Sequence, residues 1–142
     1  MGCLLGVDRW LQVGHVVRIR DHTKLDVWRL SCDLVADVYR LTQRLPRSEL
    51  FGLTSQMRRA AVSIPSNIAE GASRGSQKDF ARYLNIAAGS AGELDTQVHI
   101  AEMLALLTPG ETSLVRDEIA RVRRMLVGLI RALATPDEAH RV

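Results

Sequence analysis

Asp95, His99 and Glu102 follow one another at spacings of four and three, which in a helix places an imidazole between two carboxylates on one face. Such a face can hold a metal ion, and it can equally be a solvated acid–histidine pair, the commoner fate of a lone helix-face histidine. Di-iron sites in helix bundles use Glu-x-x-His pairs. The residues three before His99 and His140 are Thr96 and Asp137, so that pattern is absent. Cys3 and Cys32 lack zinc-ligand spacing. Ser63 and Ser66 have no histidine nearby in sequence to activate them, and no phosphate loop, dinucleotide fingerprint or nucleophile elbow occurs. These residue types point away from an enzyme and toward a protein without cofactor or metal.

The charged residues say more. The chain of 142 residues carries a formal net charge of +3, and all of its 19 basic residues except Lys24 and Lys78 are arginine. A guanidinium pairs bidentately with phosphate or carboxylate, so this excess permits a polyanionic partner; coding bias in the source genome would produce the same excess. Between Leu53 and Arg82 stand Arg58, Arg59, Arg74, Lys78 and Arg82 against Glu70 and Asp79. From Tyr83 to Leu107 the charged residues are Glu93, Asp95 and Glu102, and basic residues return as Arg116, Arg121, Arg123, Arg124 and Arg131. The candidate nucleic-acid contacts are therefore Arg58, Arg59, Arg74, Lys78 and Arg82, with Arg121, Arg123 and Arg124 as a second set. In one isolated copy these charges can be solvated faces and interhelix ion pairs. A symmetric ring would repeat them into a surface able to retain RNA or DNA, through phosphates and without sequence-specific readout. The rival reading is a protein-interaction scaffold whose arginines serve ion pairs and solubility.

The elements that must position these residues are helices. Aromatic residues are only 4% of the chain while Leu, Ala, Val and Ile are plentiful, which favours aliphatic helix packing in one domain. The first helix is expected over about 24–45, opened by Thr23 with Asp26. Leu25, Trp28, Cys32, Val35 and Tyr39 form its packing seam, and Val27, Leu30, Leu34, Val38, Leu41 and Leu45 form a second row. So broad an apolar surface needs cover from more than one side. Pro46 ends this helix. The second starts at a Thr54 cap, buries Leu53, Met57, Ala60, Ile64 and Ile68, and ends at Gly71 and Gly75. The third, from Ser76 to about Leu107, carries Phe80, Leu84, Ala87, Ala91, Leu94, Val98 and Ala101, with Leu104 or Ala105. Gly89 and Gly92 in its interior are expected to allow a close helix approach. The fourth opens with Thr108, Pro109 and Glu111 and runs through Val115, Ile119, Val122, Leu126, Leu129 and Leu133. Short links force antiparallel neighbours, which makes an all-α, up-and-down four-helix bundle over 23–134.

Within the second helix the stretch Ser63–Ser76, SIPSNIAEGASRGS, contains Pro65, which has no amide for the Ala61 carbonyl and predicts a kink. Ser63, Ser66 or Asn67 could satisfy the freed groups. Residues 1–22 stand before the bundle as an N-terminal extension and a candidate for disorder, with a weak strand signal at Val13–Ile19; 135–142 form a C-terminal tail. Asp8 and Arg9 interrupt the apolar start, a poor signal peptide, and no stretch approaches the roughly 20 apolar residues of a membrane span. A soluble, cytoplasmic protein with free thiols and no membrane partner is expected.

The run Leu53–Ala61 (LTSQMRRAA) with Ser63–Gly71 (SIPSNIAEG) resembles the four-helix-bundle proteins encoded in bacterial 23S rRNA intervening sequences, the S23 ribosomal protein family. The likeness continues through Asp79-Phe80, Tyr83-Leu84, Ala88-Gly89-Ser90 and Glu93-Leu94, then Gly128-Leu129-Ile130, and includes Leu25–Trp28. Its motif positions here are Ser63, Pro65, Asn67, Glu70, Gly71, Gly89, Ser90 and Glu93. An aromatic often stands in that family where this chain has Ala72. The resemblance implies an antiparallel bundle assembled as a homopentameric ring. It also implies kinship with accessory proteins of diversity-generating retroelements, whose basic rings bind nucleic acid and a reverse transcriptase.

Overall fold

The computed structural model describes residues 10–13 and 17–134. Cys3, His140 and the expected C-terminal tail lie outside the described residues. Strands β1 (Trp10–Val13) and β2 (Val17–Arg20) pair antiparallel, Trp10 opposite Arg20 and Val13 opposite Val17. The weak strand signal at Val13–Ile19 belongs to this hairpin, whose 4-residue arms are too short for periodicity to register. Four helices follow: α1 (Asp26–Thr42), α2 (Leu53–Ala72), α3 (Gln77–Met103) and α4 (Pro109–Leu133). Each packs on its neighbour in sequence and α4 closes on α1. Cross-links fix the antiparallel sense: Arg44 reaches Glu111 from α1's end to α4's start, and Glu102 meets Arg116 between α3 and α4.

The cores of α2, α3 and α4 follow the expected stripes. Met57, Ile64, Ile68, Phe80, Leu84, Leu94, Ile119 and Leu126 are all buried. On α1 the outcome differs. Val27, Leu34, Val38 and Leu41 are buried, whereas Trp28, Cys32 and Val35 are half-buried and Tyr39 is 42% exposed. Both rows satisfy a 3–4 repeat, so spacing alone could not separate them. The buried row is the one facing the two helices that touch α1, and it hides Ser31 by letting its hydroxyl donate to the Trp28 carbonyl at 2.7 Å.

Two helix starts also differ from expectation. Asp21 Oδ1 accepts the Thr23 amide at 3.0 Å and the Thr23 hydroxyl at 2.6 Å. Asp21 thereby caps a short 3-10 turn (His22–Lys24), and α1 begins behind Leu25 with no side-chain cap. Thr54 lies buried inside α2, whose Leu53 amide donates instead to Glu49 Oε2 at 3.1 Å. In both cases a carboxylate, the stronger acceptor, displaces a threonine hydroxyl. The Ser76 and Thr108 caps form as expected, the latter a full capping box with Glu111. At its other end α3 stops at Met103, short of Leu107. Ala105 takes a left-handed φ of 56°, and the Leu106 and Leu107 amides both return to the Ala101 carbonyl. Leu104 and Ala105 are consequently exposed.

Candidate nucleic-acid interface

α2 and α3 form the most extensively packed helix pair, and a glycine sets their approach at the turn between them. α2 ends at Ala72, between Gly71 and Gly75 as expected, and Gly71 is buried in its last turn. A Cβ there would come within 2.7 Å of Tyr83 Cβ and 3.0 Å of the Phe80 ring. Gly89 and Gly92, expected to serve close packing, meet nothing within 4 Å. The small residues near them, Ala87 and Ala91, are fully buried instead.

By bringing Tyr83 to the turn, this approach organises three of the predicted cations. Arg74 Nη2 donates to Glu70 Oε1 at 2.6 Å and to the Tyr83 hydroxyl at 2.8 Å. The guanidinium carbon of Arg74 lies 5.0 Å from the Tyr83 ring centroid, and that of Arg82 lies 4.8 Å from it, both within cation–π range. Tyr83 and Glu70 push the Arg74 pKa up. Arg82 also stands 3.8 Å from Asp79, a loose pair, and Lys78 is exposed without an ion pair among the described residues.

Arg58 is spent differently. Its Nε donates to Thr42 Oγ1 at 2.9 Å and its guanidinium sits 4.4 Å from the Tyr39 ring centroid. It bridges α2 to α1 and is half-buried. Arg59, one residue on, is exposed and makes no ion pair among the described residues. On α4, Arg121 and Arg124 are likewise exposed and unpaired, while Arg123 lies 3.8 Å from Asp95. Asp95 and Glu102 thus both face α4 arginines, and among the described residues no three potential metal ligands come together.

The predicted cations therefore do not form one patch on a single chain. Arg59 and Arg74 are 15 positions apart on and just beyond α2, roughly 22 Å along a helix axis. The α4 arginines lie on the helix diagonally across from α2, with which it makes few contacts. Arg74, Lys78 and Arg82 are the one set that a single turn gathers.

The polar motif residues behind that turn are occupied with one another. Ser63 Oγ and Ser90 Oγ meet at 2.8 Å across α2 and α3, and Asn67 Nδ2 donates to Ser63 Oγ at 2.9 Å and to the Ser63 carbonyl at 2.8 Å. Ser66 Oγ donates to the Val62 carbonyl. Pro65 is buried within a continuous α2, and these side chains serve the two carbonyls after Ala61. Glu93 lines a small recess with Gln56, Arg59, Ser63 and Ser90. The partnership of tyrosines with arginines was not visible in the sequence, because Arg74 and Tyr83 meet across a turn and no helical period links them.

The chain is an antiparallel four-helix bundle, and its residues 23–128 match the model of the 23S rRNA-intervening sequence protein family. The chain belongs to that family. Its fold is similar to a solved protein of unknown function from the S23 ribosomal protein family of Bacteroides thetaiotaomicron, with a TM-score of 0.69 at 23% identity over 74% of this chain and 98% of that one. No curated protein matches the chain. Among the described residues no helix is long and apolar enough to cross a membrane.

Proposed function

We propose that this protein is a non-enzymatic, self-associating bundle that binds RNA or DNA through phosphate contacts at the α2–α3 turn, with Arg59 and the α4 arginines contributing when copies assemble. The observation that carries this reading is the turn itself: two guanidiniums drawn to one tyrosine, beside an exposed lysine. The Arg74 hydrogen bonds to Glu70 and Tyr83 both use Nη2, which leaves its other nitrogens able to engage a phosphate. Holding the fork in advance lowers the entropy lost on binding. Dispersed single-copy cations become a continuous field only by repetition, and the half-covered α1 row with Trp28, Val35 and Tyr39 is apolar surface that a neighbouring copy can bury. Size exclusion with light scattering and the 260/280 nm absorbance ratio tests both parts together. A multimer that carries nuclease-sensitive material supports the reading, and a monomer that shows no binding at low salt overturns it.

A second reading, a scaffold that recruits a protein, is favoured by a groove lined by Tyr39, Leu50, Phe51 and Val62, in which Phe51 is 93% exposed. Capture of one protein partner that persists after nuclease treatment favours it over the first.

A further inference from the structure

The groove between α2 and α3 holds a second polar site, two helical turns along from the cation-bearing turn. Glu70 and Ser63 are seven positions apart on α2, and Tyr83 and Ser90 are seven apart on α3. Recess and turn therefore share one face of the helix pair, about 10 Å apart. The recess, of about 350 Å³, is lined by Gln56, Arg59, Ala60, Ser63, Ser90 and Glu93. Its floor has a proton to spare. Ser63 Oγ and Ser90 Oγ lie 2.8 Å apart, and the Asn67 amide donates to Ser63 Oγ. One hydroxyl proton makes the bond between the serines, and the other is left with no acceptor among the described residues. Arg59 and Glu93 are exposed at the rim, and neither makes an ion pair or hydrogen bond among the described residues. A guanidinium and a spare O–H both donate, which suits the oxygens of a phosphate. An ionised Glu93 only accepts, and it repels a bare phosphate held by Arg59. The set fits a ligand that carries a hydroxyl beside its phosphate.

We propose that this recess takes one phosphorylated ribose of an RNA strand, with Arg59 and the serine hydroxyl on a phosphate and Glu93 accepting the 2′-hydroxyl proton. The proposal rests on the phosphate-binding reading above and narrows its ligand from nucleic acid to RNA. The 2′-hydroxyl is what separates RNA from DNA at a single site. A deoxyribose gives Glu93 no donor and leaves its charge beside the phosphate. Discrimination then comes from lost attraction and added repulsion together. A free ribonucleotide carries the same chemistry. The shared face favours the strand, whose neighbouring phosphates run toward Arg74, Lys78 and Arg82.

Fluorescence anisotropy at low salt compares oligouridine, oligodeoxyuridine and 2′-O-methyl oligouridine of one length on the native chain. The ribo strand should bind about tenfold more tightly than either of the others, the worth of one hydrogen bond to a charged group. The methylated strand keeps the 2′-oxygen but not its proton, and this comparison requires no variant to fold. Glu93→Ala should bring the ribo and deoxy strands to nearly equal affinity. Because Glu93 is exposed and unpaired among the described residues, the unfolding midpoint should not move. Uridine monophosphate as competitor separates the two sources of ribose phosphate. Displacement of the ribo strand only by a large excess keeps the strand as ligand, and displacement in the strand's own concentration range would overturn that assignment. Equal affinity of the native chain for the three strands, or a ribo preference that survives Glu93→Ala, would overturn the proposal and leave phosphate binding intact. No binding of any strand would overturn both.

Discussion

Gly71 and Tyr83 meet where α2 crosses α3, so closely that a single added methyl on Gly71 would stand 2.7 Å from Tyr83 Cβ. That contact joins the packing of the bundle to its proposed binding turn, because it holds the ring to which Arg74 and Arg82 are drawn.

Glycines in this chain therefore divide by what faces them. Gly71→Ala forces backbone and ring apart and should cost about 1–3 kcal/mol of stability. Gly89→Ala, in open space on an exposed helix face, should instead gain up to about 1 kcal/mol. Urea unfolding of the two variants checks the opposite signs; equal effects would mean that the crossing is looser than described.

Ala105 occupies a left-handed conformation with its side chain exposed. Ala105→Gly relieves that strain without loss of packing and should stabilise the bundle by roughly 1 kcal/mol. A lower unfolding midpoint for this variant would contradict the α3 cap.

Arg58 and Arg74 were equivalent candidates by sequence and are not equivalent in the fold. Arg58→Ala removes the link to Thr42 and Tyr39, and should lower stability by about 1–2 kcal/mol while leaving the salt dependence of nucleic-acid binding nearly unchanged. Arg74→Ala should do the reverse. Unfolding and binding isotherms measured on the same preparations separate them.

Glu111 closes the α4 capping box, and its pKa is lowered first by the Thr108 amide and hydroxyl and then by Arg44. A depressed carboxylate stabilises the fold above its unfolded pKa, and that contribution is lost as pH falls through the folded value. Glu111→Gln should therefore remove part of the acid sensitivity below about pH 4.5, seen as a shallower fall in the unfolding midpoint on acidification.

The long stripes of α2, α3 and α4 were legible because one face of each is buried and the period is sustained. Ser76, Thr108, Pro109 and Glu111 were legible because caps are local chemistry. What failed was non-local or competitive. Two rows on α1 had the same spacing, and only its neighbours select the inner one. Asp21 and Glu49 outcompeted nearby threonines for amide protons. Gly71 was legible as part of the helix end, but its close fit against Phe80 and Tyr83 across the turn was not. The basic residues were visible as a set, but the sequence carried no sign that Arg58 is tied to α1 or that Tyr83 gathers Arg74 and Arg82.

The most direct test of the central claim is the salt dependence of binding to a short labelled duplex, for the native chain and for a chain with Arg74, Lys78 and Arg82 all replaced by alanine. If these three side chains contact phosphates, affinity falls and the slope of log K against log salt flattens by up to about 3 per bound copy. A folded triple variant with unchanged affinity and slope would contradict the claim.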